Sequence, residues 1–71
     1  MSTLDTRLWR VRRRGEWIDA ALEPQGNGWC LRYSHRRGLL VASAFETRAQ
    51  ALDAARIRLR EFERVGWTEH W

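Results

Sequence analysis

The sequence predicts an α+β domain, a four-stranded antiparallel meander with one C-terminal helix packed across one of its faces. Three observations predict it. Between Leu8 and Phe45 polarity alternates every two residues, in short apolar groups interrupted by glycine, as half-buried strands joined by tight turns require. After Phe45 the period lengthens, and Leu52, Ala55, Leu59 and Phe62 recur at the intervals of an amphipathic helix. Finally, 71 residues, 44% of them hydrophobic and 31% charged, leave room for one core only, so residues 1–71 read as a single domain.

The elements follow in order. Residues 8–13 read as a first strand, Arg14-Gly15 as a tight turn, and residues 16–23 as a second strand, ended where Pro24 removes a ladder donor. Residues 24–28, Pro-Gln-Gly-Asn-Gly, have the composition of a loop. Residues 29–34 form a third strand, residues 35–38 a four-residue turn, and residues 39–45 a fourth strand. The helix is expected over residues 48–65. Thr47 and Gln50 form a capping-box pair at its start, each side chain positioned to bond the other's backbone N–H. Gly66 supplies the left-handed residue at its end, with Trp67 set against Phe62 in a Schellman arrangement.

One helix covers one side of a sheet, and strand alternation assigns the sides. Trp9, Val11, Ile18, Ala20, Leu22, Trp29, Leu31, Tyr33, Val41 and Phe45 make the continuous apolar set expected beneath the helix. The opposite side carries Arg10, Arg12, Arg14, Trp17, Asp19, Cys30, Arg32 and Ser34, a basic surface with one large ring, expected to stay open.

Thirteen basic residues against nine acidic give a net charge of +4, and all thirteen are arginine. Planar bidentate guanidinium groups suit phosphate; codon usage in a GC-rich genome produces the same bias. Residues 1–45 hold eight arginines against four acids, whereas residues 46–71 hold five of each, so all the excess lies in the strand half.

Several function classes are excluded. No apolar run reaches the ~18 residues of a spanning helix, and the first residues lack the pattern of a signal peptide, so the expectation is a soluble, cytoplasmic protein with no membrane partner. A single Cys30 makes no internal disulfide, and with only His35 and His70 beside it no metal-ligand spacing is present. Gly26-Asn27-Gly28 precedes a strand, not a helix, so it is no phosphate loop, and no cofactor is implied. Ser34 and His35 point to opposite faces, and no paired-carboxylate pocket or catalytic triad is evident. The reading is a non-enzymatic binding module.

The leading candidate surface is Arg10, Arg12, Arg14, Arg32 and Trp17, where guanidinium groups meet phosphates and the ring stacks on a DNA or RNA base. Arg36 and Arg37 add charge at a hairpin tip. Against this stands a structural account, in which the arginines are a solvated sheet face and shield Trp17 by cation–π contact. On the helix, Arg56, Arg60 and Arg64 lie near Asp53, Glu61 and Glu63 and read as a solvated stripe. The aromatic tail, residues 66–71, is expected to dock on its own domain. The alternative function is a protein-interaction module, a homodimer or a small adaptor or inhibitor, using the open face, Leu40 and the tail.

The junction Phe45-Glu46-Thr47-Arg48-Ala49-Gln50-Ala51-Leu52 resembles the strand-to-helix junction of AP2-like, or arm-type, DNA-binding domains of phage-type tyrosine integrases, which often read Phe-x-Thr-basic-x-x-Ala. The match covers about 30 residues. It implies a small sheet laid in the DNA major groove. Residues 39–44 are apolar where that family usually carries basic side chains, so the contact role would pass to Arg10, Arg12, Arg14 and Arg32 by position on the open face.

Overall fold

Two residues in left-handed backbone, Arg14 at φ 52° and Gly15 at φ 81°, fold the first hairpin as a primed two-residue turn, the form whose twist matches that of the flanking strands. In the computed structural model, which describes residues 6–36 and 38–69, this turn joins β1 (Thr6–Arg13) to β2 (Glu16–Gln25). Then come β3 (Gly28–His35), β4 (Gly38–Phe45), α1 (Arg48–Arg64) and β5 (Thr68–Glu69). The antiparallel sheet runs β4-β3-β2-β1-β5, so the expected four-strand meander and single C-terminal helix are present, with a short fifth strand from the tail on the outer edge of β1.

The strands are longer than expected and two connections shorter. β2 continues through Pro24, which pairs with Trp29, and only Gly26 and Asn27 lie between the paired Gln25 and Gly28. Next to a pair that closes a two-residue loop, a residue's N–H points away from the partner strand. Pro24 therefore removes nothing from the ladder to β3, and among the described residues its other side has no partner on β1, whose pairing with β2 starts at Thr6 and Leu22. Likewise His35 pairs with Gly38, which leaves a two-residue connection where four were expected; Arg37 lies outside the described residues. At Gly28 the reason for glycine is close approach, because a Cβ there would lie 2.4 Å from the carbonyl oxygen of Phe45.

Both helix signals act as their chemistry dictates. Thr47 accepts from the Gln50 N–H at 3.1 Å while the Gln50 side chain accepts from the Thr47 N–H at 3.2 Å. At the other end Gly66, at φ 104°, donates to Glu63, and Trp67 donates to Phe62 at 3.0 Å. These are the two bonds of a Schellman terminus. The Trp67 ring meets Phe62 edge-on at 5.7 Å, so the tail docks on its own domain as far as Glu69; Trp71 lies outside the described residues.

The core forms where α1 crosses β1 to β3. Trp9, Val11, Ile18, Ala20, Leu31 and Tyr33 are buried against Ala55, with Leu59, Phe62 and Trp67 packed around them. The helix buries Ala51 and Ala55, both essentially without exposure, while Leu52 is only half-buried. Small side chains at those two positions let the helix backbone come close enough for the Trp9 indole N–H to donate to the Ala55 carbonyl at 3.1 Å. Val41 shares the helix side of the sheet through its pairing with Tyr33, yet it is 47% exposed, because α1 meets β4 near Ser43 and Phe45 and leaves Val41 uncovered. Among the described residues no helix is long and apolar enough to cross a membrane.

Candidate nucleic-acid interface

Register decides which arginines share a surface. Arg10 pairs with Asp19, Arg12 with Trp17, and Ala21 with both Arg7 and Arg32, so these residues occupy the side of the sheet away from α1. That surface is already cross-linked. Arg10 grips Asp19 through two hydrogen bonds, Nε to Oδ1 at 2.5 Å and Nη2 to Oδ2 at 2.9 Å, and Arg7 stands 3.9 Å from the same carboxylate. The Asp19 hydrogen bond raises the Arg10 pKa above its ordinary value, the carboxylate's charge acting in the same direction and burial against it. Arg32 donates to Glu23 at 2.9 Å. The Arg10 guanidinium also lies 5.2 Å from the centre of the Trp17 ring, the shielding contact that a purely structural account expects.

Cys30 corrects the expected picture of that side. Its partners Glu23 and Ala44 place it away from the helix, but it is only 6% exposed. The thiol is short, and the longer Glu23 and Arg32 side chains bridge beside it. The sheet surface there is an ion-paired lattice, not a row of unengaged guanidinium groups.

A different group of arginines collects at one end of the sheet. Arg36, in the β3–β4 connection, places Nη1 3.5 Å from the carbonyl oxygen of Gly15 in the β1–β2 turn, so the two hairpin tips lie side by side. Arg12, Arg13 and Arg14 lead into the same tip. Among the described residues Arg13, Arg14 and Arg36 take no carboxylate partner. The carboxylate at this end, Glu16, is engaged by His35, with Nε2 and Oε1 2.5 Å apart. Arg37 was expected at this tip too and lies outside the described residues.

Arg14 carries a further signal. A non-glycine side chain in left-handed backbone costs about 1–2 kcal/mol relative to the right-handed form, and asparagine is the residue this turn position favours. Arg13, absent from the sequence-based site, is brought in by its place beside the turn. The ion pairs were legible in principle. Counting outward from Arg14-Gly15, the fourth cross-strand pair is Arg10 with Asp19, so the turn alone predicts that contact.

On α1, Arg56 pairs with Asp53 and Arg58 with Glu61, as a solvated stripe does. Among the described residues no cluster of three His, Cys, Asp or Glu could hold a metal ion. Comparison with family models, with curated proteins and with solved structures gives no match to this chain.

Proposed function

We propose that the chain is a non-enzymatic nucleic-acid-binding module that grips the phosphate backbone with the turn end of its sheet. Arg13, Arg14 and Arg36 make the phosphate contacts, Arg12 flanks them, and Trp17 offers a ring beside them for a base or sugar. The observation that supports this reading most directly is Arg14 in left-handed backbone at an exposed tip, where the fold would be better served by asparagine. Strain retained at a position whose side chain has no partner among the described residues favours a role for the side chain itself. The ion pairs of Arg10 and Arg32 move the contact surface from the middle of the open face to its end. The integrase arm-type resemblance fits a sheet as the DNA-contacting element.

Electrostatic binding of this kind weakens steeply with salt, because each neutralised phosphate releases counterions. The test is fluorescence anisotropy with labelled mixed-sequence DNA and RNA over a salt series. An Arg13→Ala, Arg14→Ala, Arg36→Ala variant should flatten the log–log salt dependence on duplex DNA by about 2.7, at ~0.9 per contact. An Arg10→Ala, Arg32→Ala variant should change it less. No binding at low salt, or an equal loss from the second variant, overturns the reading.

A second reading, a protein-interaction module, draws on the exposed apolar residues Leu39, Leu40 and Val41 of β4. Its surface would be that strand's edge. The aromatic tail is occupied by Phe62 and β1 as far as Glu69.

A further inference from the structure

β4 is an outer strand of the sheet, and no residue from Gly38 to Phe45 is charged. Sheets ordinarily blunt a free edge with charge, proline or short length. The opposite edge follows that rule, since β5 is two residues long and β1 beyond it carries Arg7 and Arg10. On β4, Leu39, Leu40 and Val41 are 55%, 56% and 47% exposed, and Ile57 of α1 is 52% exposed. Between strand and helix runs a groove of about 250 Å³ whose lining includes Tyr33, Ser43, Phe45, Ala54 and Ile57.

We infer that a second copy of this chain pairs antiparallel along β4, about a two-fold axis at Ser43, joining two five-stranded sheets into one. This gives the second reading its partner and rests on no property of the arginine end.

The register follows from the strand itself. On a free edge only every second residue points its N–H and C=O outward, so two identical strands can bond only when outward residues meet outward residues. That rules out every pairing of an odd-numbered with an even-numbered residue. The bulge at Leu40, where the pairing shifts between Tyr33 and Ser34, interrupts the edge and leaves residues 41–45 as its regular stretch. Centring on Ser43 sets Val41 against Phe45 of the second copy, Ala42 against its Ala44, and Ser43 against its Ser43. The β-branched and aromatic pair forms twice, on the helix side, and such cross-strand pairs stabilise sheets. Each Val41 then enters the groove between Phe45 and Ile57 of the other copy. Centring on Ala42 instead meets Val41 with serine, and centring on Ala44 carries Val41 beyond the end of the partner strand.

Three features select a second copy as the occupant. The edge is its own complement under two-fold rotation, and with the far edge blunted the pairing closes at two copies instead of growing into a fibre. Arg58 and Glu61, exposed and 3.5 Å apart beside the groove, present both signs to the same pair on the other copy. The five-residue stretch 41–45 is about 17 Å long, and the molecule is 19 Å across its shortest axis. The footprint is therefore about 320 Å² per copy, smaller than that of stable specific interfaces, which fits a weak, reversible dimer.

Sedimentation velocity over a wide concentration range tests this without nucleic acid. The wild-type mass should rise from 8.5 kDa toward twice that value. Val41→Lys should abolish the rise while circular dichroism and melting temperature stay near wild type, since Val41 is exposed. Opposed Cα atoms in a sheet are about 4.5–5.5 Å apart, within the reach of a disulfide. Ser43→Cys should therefore cross-link under mild oxidation much faster than Ala49→Cys on the helix, and reductant should reverse it. A monomer at every concentration, a dimer indifferent to Val41→Lys, or equal cross-linking of the two cysteine variants overturns the pairing. Its failure leaves the anisotropy result on the arginine end untouched, and the converse holds.

Discussion

Arg14→Asn should make the protein more stable and a poorer ligand for nucleic acid. Arg14 stands at the first central position of a primed turn with φ 52°, and no hydrogen bond or ion pair involves its side chain among the described residues. Replacement therefore removes no contact. The left-handed penalty for an ordinary L side chain is about 1–2 kcal/mol, and asparagine, which tolerates that region, recovers part of it. A gain of about 0.5–1 kcal/mol is expected. At about 4–8 °C per kcal/mol for a domain of this size, the melting temperature should rise by roughly 2–8 °C. On the proposed function the same change removes one phosphate contact and should lower the salt slope on duplex DNA by about 0.9.

The two effects are measured independently, by thermal melts followed in circular dichroism and by anisotropy across the salt series. Their opposite signs are the informative part. A charge that merely stabilised the fold would lower both stability and binding when removed. A variant less stable than wild type would refute the strain argument. One that is more stable but binds with an unchanged slope would take Arg14 off the contact surface.

Other consequences are checked as directly. Asp19→Asn breaks a two-bond ion pair whose side chains are 30% and 20% exposed, and such part-exposed pairs contribute about 1 kcal/mol. Urea unfolding should show that loss, while release of Arg10 should steepen the salt dependence of nucleic-acid binding; unchanged stability would mean the pair is idle. Gly28→Ala must push a methyl group into the Phe45 carbonyl and should cost about 1–3 kcal/mol, whereas a neutral result in the same assay would contradict the close approach of β3 and β4. Thr47→Ala deletes the cap and should cost about 1 kcal/mol without altering the salt slope. Burial raises the pKa of Tyr33, Glu61 acting the same way, and the neighbouring Arg58 opposes the rise. Above about pH 10 the unfolded chain loses this proton first, so stability should fall as pH climbs toward the folded value. Tyr33 is the chain's single tyrosine, so ultraviolet titration reads it alone; a pKa at or below the ordinary value would refute the burial argument.

What could be read in advance was set by short-range chemistry. Thr47 with Gln50, and Gly66 with Trp67, each complete their hydrogen bonds within one helical turn, so the helix ends were fixed without knowledge of the sheet. Strand alternation was equally local, and it assigned Trp9, Ile18, Leu31 and Tyr33 to the core. Features that depend on two segments at once were harder. The register breaks at Leu8 and Leu40, because one extra residue on a strand leaves no mark in its own composition. Pro24 read as a terminator because its effect depends on which neighbour its nitrogen faces. Val41 had the right parity for the core, and only the placement of α1 shows that parity is not burial. The ion pair on the open arginine face is a related case: Arg10 and Asp19 are nine residues apart, and their pairing is read by counting back from the Arg14-Gly15 turn, not from either strand alone.

The tail decides which surface is left for a partner. Two tryptophans in the last five residues suggest an anchor offered outward, but Trp67 lies on Phe62 and Thr68–Glu69 continues the sheet beside β1. By closing that edge at Val11 and Arg12, the tail makes the two sides of the sheet unequal. One edge is short and flanked by arginine; the other, β4, is eight residues long, uncharged and rich in exposed leucine and valine. An unpaired apolar edge in a domain of this size invites indiscriminate association, and pairing it with its own copy is the arrangement that removes the hazard without a second gene product. The arginine end lies at the tips of the hairpins, away from residues 41–45, so binding phosphate and pairing edges need not compete. In the two-fold arrangement β4 runs antiparallel to its copy, which places the two arginine ends at opposite corners of the joined sheet. If both proposals hold, a dimer should bind a long duplex more tightly than Val41→Lys does, and bind a duplex too short to span both corners no better.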